Sequence, residues 1–181
     1  RNSRDENKKI KNGVIPEEWE KPENKSKLAQ KDIDADWTKK NGERHFGYKD
    51  HVKCDADSKL ITNYSVTSAS VHDSQRCLVF IGQEDEVLYA DSAYSGKPIA
   101  LALPENCKNQ ICEKGYRNSP LTSEQKMNNR RKSRIRCRIE HIFGFMTGAM
   151  HGITIRSIGI TRAWMNIGIT NLVYNFCRYS Y

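Results

Sequence analysis

Residues 122–150 carry the clearest periodicity in the chain, with Ile135, Ile139, Ile142, Phe143 and Met146 recurring on one face of an expected amphipathic helix. Such a stripe has to dock on a sheet or on another helix, which commits the chain to a layered, packed fold. Thr122, with Gln125 three residues later, fits a capping box at the start of this helix. A last helix is expected from about Thr161 to Arg178, with Met165, Ile169, Leu172, Val173 and Phe176 as its buried face.

The partner for these helices comes earlier. From Glu43 to Cys54 the pattern changes to strand chemistry, Asp55-Ala56-Asp57-Ser58-Lys59 supplies a turn, and residues 60–69 are rich in Ile, Thr, Tyr and Val, so the two runs read as an antiparallel hairpin. Ser70 or Asp73 is placed to cap a short helix carrying Cys77, Leu78, Phe80 and Ile81. The apolar run from Glu86 reads as a buried strand whose C-terminal end presents Asp91, and Gln110-Ile111-Cys112 as a short edge strand. Helical turns are expected between them, near residues 97–103. Strands interleaved with helices in this order define an α/β fold class, a mixed sheet with flanking helices. Residues 1–36 mix Lys, Glu, Asn and Pro around Trp19 without a sustained period and read as an extended, poorly ordered N-terminal arm or linker. Residues 37–181 then form the one domain.

Composition sets limits on function. The chain is 37% hydrophobic, with the apolar residues concentrated after position 45, enough for a single core. No stretch approaches the ~18 apolar residues of a membrane span, and no secretory leader opens the chain, which points to a cytoplasmic protein with no membrane partner. The six cysteines have uneven spacings and no Cys-x-x-Cys pair, and read as reduced thiols. The net charge of +8 is concentrated in the second half: residues 97–162 hold thirteen Lys or Arg against four Asp or Glu. A concentrated basic surface points to a polyanion, nucleic acid first.

Two acids are candidates for chemistry. Glu140 follows a run in which six of the nine positions 130–138 are basic: Arg130, Arg131, Lys132, Arg134, Arg136 and Arg138. Arg136 lies one turn before Glu140, so a simple ion pair competes with a functional role. Glu140 also borders the apolar stripe that docks on the sheet. Asp91, at a strand end, faces the crevice where ligands sit in open α/β sheets, with a turn cap as its alternative role. Carboxylates joined from a strand and a helix require a cation between them, and hard oxygen ligands favour Mg2+ or Mn2+ over zinc. A metal beside a basic surface suggests phosphoryl transfer on nucleic acid, with about half of the basic run touching phosphate. His72 and Asp73 are possible site-adjacent residues, or only a helix cap. No glycine-rich phosphate loop and no serine-nucleophile elbow is present.

With these residues in place, the chain resembles the bacterial insertion-sequence DDE transposases, in the branch typified by insertion sequence five. The resemblance rests on an ordered series of blocks: Asp36-Trp37-Thr38-Lys39-Lys40, His45-Phe46-Gly47-Tyr48-Lys49, Ala69-Ser70-Val71-His72-Asp73-Ser74-Gln75, Ala90-Asp91-Ser92-Ala93-Tyr94, Arg136 through Glu140-His141 to Phe143-Gly144, and Asn171-Leu172 to Tyr174-Asn175. It implies a ribonuclease-H-like fold, two divalent metal ions, DNA cleavage at transposon ends and strand transfer to target DNA. It also implies a DNA-associated protein that is a homodimer or higher oligomer when complete. Asp91 matches the second catalytic aspartate, Glu140 the glutamate and Arg136 the arginine one turn before it. The family's first aspartate lies on a first strand that this chain is expected to lack, so the 181 residues are expected to be inactive alone. None of Asp32, Asp34, Asp36, Asp50, Asp55 or Asp57 is a convincing substitute. The tyrosine and lysine that flank the glutamate in sister branches fall at Ser133 and Thr147 here. A non-catalytic, basic DNA-binding transposase remnant and a hydrolytic metallonuclease are the competing readings.

Overall fold

A computed structural model describes residues 2–40 and 42–180. Three short helices, α1 (Arg4–Lys11), α2 (Glu17–Glu20) and α3 (Lys25–Leu28), precede the strands β1 (Asp36–Lys40), β2 (Glu43–Cys54) and β3 (Ile61–Ser68). Then follow α4 (Ser74–Phe80), β4 (Val87–Leu88), α5 (Lys97–Ala102), β5 (Lys108–Asn109), α6 (Ser123–Arg136), α7 (Arg138–Gly148) and α8 (Ile160–Tyr179). The α/β class expected from the sequence is present, with the strands distributed over two sheets: an antiparallel one in the order β1-β2-β3 and a parallel pair β4-β5. The hairpin expected over residues 43–69 is β2-β3, and Asp55 closes its turn by accepting from Asp57 N and Ser58 N.

The chain divides into two compact units, and β2, β3 and α8 contribute residues to both. The first unit holds residues 1–51, 65–71 and 154–170. Residues 1–36, without a sustained period in sequence, carry helices here, and Trp19 is 3% exposed. Polar bonds replace an apolar stripe in holding this segment. Ser3 and Glu6 form a capping box on α1, Glu6 also accepts from Trp19 Nε1 at 3.0 Å, and Lys31 Nζ lies 2.8 Å from the same carboxylate. Asp32 accepts both Tyr48 Oη at 2.8 Å and the Gly159 N–H at 3.1 Å, while Asp34 accepts the Ile160 N–H at 2.9 Å. These two acids satisfy donors at the start of α8, where the helix dipole also favours negative charge.

The second unit holds residues 52–64, 72–153 and 171–181. Its main core is Ile61, Ile142, Met146 and Tyr174, with Ile139 and Phe143 packed against it, so the stripe read from sequence is the face that docks. The Thr122–Gln125 capping box opens α6 as expected. The single helix expected over 122–150 is broken at Cys137, where Cys137 Sγ donates to Arg134 O at 3.2 Å. In a continuous helix that carbonyl would accept from Arg138 N, so the thiol competes for the bond. Asn175 uses both ends of its amide on Ile61, accepting from N and donating to O at 2.8 Å, and so extends the hydrogen bonding of β3 as a strand neighbour would.

The expected buried face of α8 is corrected. Met165, Ile169 and Phe176 are 64%, 58% and 63% exposed, and Leu172 and Val173 are exposed as well. Ala163, Ile167, Asn171 and Tyr174 are buried instead. The helix is apolar on both faces, so periodicity alone does not choose between them. The choice goes to the face whose Tyr174 hydroxyl reaches Lys59 O at 3.1 Å and whose Ala163 accommodates close packing.

Candidate functional site

Asp91 sits at the end of the parallel pair. The ladder continues beyond the named strand residues, from Lys108 N to Glu86 O, Gln110 N to Leu88 O and Cys112 N to Ala90 O, at 2.8–3.0 Å. Asp91 is the next residue, placed where the ladder stops, as the apolar run in the sequence implied. Its carboxylate accepts from Ala93 N at 2.6 Å and caps the 3-10 turn Ser92–Tyr94. The capping role and the strand-end position are therefore both real.

Helix α4 packs on that turn, and Cys77, Ala90, Ile99 and Ile111 form the small core beneath it. Asp73 is the residue before α4, but its side chain makes no cap bond; His72 Nδ1 lies 2.8 Å from Ser74 Oγ and accepts from Ser74 N at 3.3 Å. Burial pushes the Tyr94 hydroxyl well above its usual range, and the negative charges of Asp73 and Asp91 push it further. Tyr94 itself is half-buried and packs against the small core.

Glu140 lies in the first turn of α7, with 59% of its side chain exposed, and pairs with Arg136 Nη2 at 2.8 Å. The basic run divides in two. Arg136 holds Glu140, Arg138 donates to Ala56 O and lies 3.3 Å from Asp57, and Lys132 Nζ donates to Ile111 O at 3.0 Å. Arg130, Arg131 and Arg134 are exposed. Three of the six cations are committed to the fold and three face solvent.

DDE transposases use divalent metal ions. Among the described residues, no three of His, Cys, Asp or Glu come together in a way that would hold one. Asp91 and Glu140 share the second unit, but each carboxylate already has a partner, and neither lines either of the two best-formed cavities. The donor set in this chain therefore does not by itself fit a metal centre. Five of the six acids weighed as a replacement are engaged elsewhere: Asp32 and Asp34 at the start of α8, Asp36 with Lys11 at 2.7 Å, and Asp55 and Asp57 at the hairpin turn. All six cysteines are free thiols, and burial pushes the Cys54 and Cys77 thiols up. No helix among the described residues is long and apolar enough to cross a membrane.

A cavity of about 190 Å³ in the second unit is lined by Lys59, His141, Phe145, Tyr174, Cys177 and Arg178. Of these, His141 and Tyr174 lie in the blocks that carry the resemblance and Lys59 in the expected turn, whereas Phe145 and Arg178 had no assigned role in sequence. Lys59 and Arg178 are 119 residues apart and meet only because α8 crosses the hairpin turn, where Arg178 Nε donates to Ser58 O at 2.9 Å.

With this geometry in place, comparisons with known proteins give the family. The family model for the transposase DDE domain matches residues 16–176, and the chain belongs to that family. The transposase for insertion sequence element IS1106 from Neisseria meningitidis serogroup B is 33% identical over 117 residues, which is 63% of this chain and 40% of that protein. The chain thus spans well under two thirds of the curated relative it matches. No solved structure matches it.

Proposed function

We infer that the chain is the greater part of the catalytic domain of an insertion-sequence transposase, of ribonuclease-H-like fold and of the branch typified by insertion sequence five. In this reading residues 37–181 form the domain and residues 1–36 lead into it. Asp91 and Glu140 are two of its three metal-binding carboxylates, and the third acid comes from residues other than those of this chain. The expected ions are two Mg2+ or Mn2+, which suit hard oxygen ligands. The observation that carries the reading is the family match over residues 16–176, within which Asp91 follows the last bonded residue of a parallel strand.

The roles of the chain's own residues follow from their positions. Arg130, Arg131 and Arg134 are free to hold backbone phosphates, which positions DNA without selecting sequence. Arg136 fixes the Glu140 carboxylate and balances its charge. Tyr94, packed against the small core, keeps the turn that carries Asp91 on α4. The substrates are DNA at the transposon ends and target DNA, in a DNA-associated cytoplasmic protein that works as a dimer or higher oligomer.

The second reading, a basic DNA-binding remnant without catalysis, is favoured by one observation: both carboxylates are satisfied within the chain. Strand-transfer and nicking assays on the full-length gene product separate the two. The transposase reading expects Mg2+-dependent cleavage and joining that require Asp91 and Glu140, whereas the remnant reading expects salt-sensitive DNA binding indifferent to both. Mg2+-dependent nicking by these 181 residues alone would overturn the assignment of the third acid to other residues.

A further inference from the structure

The cavity bordered by Lys59, His141 and Arg178 does not belong to the carboxylate site, since neither Asp91 nor Glu140 lines it. From its geometry we propose that it binds a phosphate group carried by the DNA backbone, as a contact separate from α6. The proposal rests on the transposase reading only for the source of the phosphate.

Three nitrogen-bearing side chains converge there from three elements: Lys59 from the hairpin turn, His141 from α7 and Arg178 from α8. Lys59 Nζ and His141 Nδ1 are 3.5 Å apart, and among the described residues no carboxylate lines the cavity. The nearest acids along the hairpin are turned elsewhere, Asp55 onto the turn's own N–H groups and Asp57 toward Arg138. Among the described residues Arg178 bonds through Nε to Ser58 O, which fixes the guanidinium plane and turns its terminal nitrogens to a bidentate acceptor. Phe145 and Tyr174, in edge-to-face contact with centroids 5.8 Å apart, form an apolar wall that excludes water on one side and strengthens attraction to an anion.

The hairpin loop fixes the backbone at Lys59. Its φ of 63° lies in the left-handed region, where glycine is the unstrained choice. Lys59 O is held by the Tyr174 hydroxyl at 3.1 Å, and Lys59 N donates to Asp55 O at 3.1 Å. These bonds close the loop over residues 55–60 and fix where the Lys59 side chain leaves it, at the edge of the cavity.

The test is a pair of titrations on the isotopically labelled 181-residue chain followed by NMR, one with inorganic phosphate alone and one with a duplex oligonucleotide. Lys59→Gly is the decisive variant, because it removes the ammonium while relieving the backbone, so the chain still folds. Inorganic phosphate is expected to shift resonances of residues 58–60, His141 and Arg178 selectively in the parent and not in Lys59→Gly. With duplex, the variant is expected to lower the slope of log K against log salt by about 0.9, one phosphate contact. Shifts spread evenly over all basic residues, or none, would overturn the site. Selective shifts with an unchanged duplex slope would overturn DNA as the source and leave a site for free phosphate. If Arg131→Ala weakens duplex binding and Lys59→Gly does not, the DNA reading stands and this contact falls. If the parent binds no duplex while phosphate shifts remain selective, the DNA reading fails and the phosphate site stands.

Discussion

Arg136 and Glu140 form a 2.8 Å ion pair across the break between α6 and α7, so the last residue of one helix holds an acid in the first turn of the next. Because Glu140 is mostly exposed, the pair adds little stability. A double-mutant cycle with Arg136→Ala and Glu140→Gln is expected to give a coupling of about 0–1 kcal/mol by urea denaturation. A coupling several times larger would mean that the pair is a structural bond.

The split of the basic run predicts two kinds of variant. Arg130→Ala, Arg131→Ala and Arg134→Ala should each lower the salt slope of duplex binding by about 0.9 without changing stability. Lys132→Ala removes the bond to Ile111 O and should instead cost about 1 kcal/mol in denaturation. Equal effects of all four on DNA affinity, at unchanged stability, would contradict the division.

The start of α8 depends on acids far away in sequence. Asp34→Ala leaves the Ile160 N–H without its acceptor and should cost about 1 kcal/mol, while Asp34→Asn, which keeps an acceptor oxygen, should cost less. Thermal denaturation of the two variants side by side checks the order.

The two faces of α8 should respond differently to the same substitution. Ile167→Ala removes a buried side chain and should cost about 2–5 kcal/mol, whereas Ile169→Ala, two positions on, should stay within about 0.5 kcal/mol. Comparable losses at both positions would show that the exposed face is covered in solution.

Burial pushes Glu6 up, but hydrogen bonds from Lys31, the Ser3 N–H and Trp19, together with the Lys31 charge, outweigh it and hold its carboxyl at about 2, against an ordinary 4.5. A depressed carboxyl stabilises the fold fully above its unfolded pKa, and that contribution is lost as pH falls from 4.5 toward 2. Tm measured across that window should fall less steeply for Glu6→Gln than for the parent, with the variant already less stable at pH 7.

Much of the second unit was legible in the sequence because its signals are local. The Thr122 capping box, the turn acids of the hairpin and the run ending at Asp91 each depend on neighbouring residues, and the stripe through Ile142 and Met146 had only one apolar face to bury. α8 was not legible, since both its faces carry large apolar residues and long-range bonds at Tyr174 and Asn175 decide which one packs. The N-terminal segment was obscure for the opposite reason. It is held by Asn2, Asn7, Asp32 and Glu6, whose partners lie up to 127 residues away and leave no periodic trace. The left-handed backbone of Lys59 has no sequence signal either, because the residue there is not glycine.

The central claim, that Asp91 and Glu140 carry the metal chemistry, is tested most directly by a Mg2+-dependent strand-transfer assay on the full-length gene product. Asp91→Asn and Glu140→Gln should each abolish cleavage and joining while leaving duplex affinity intact. Transfer at parental rates by either variant would contradict the account.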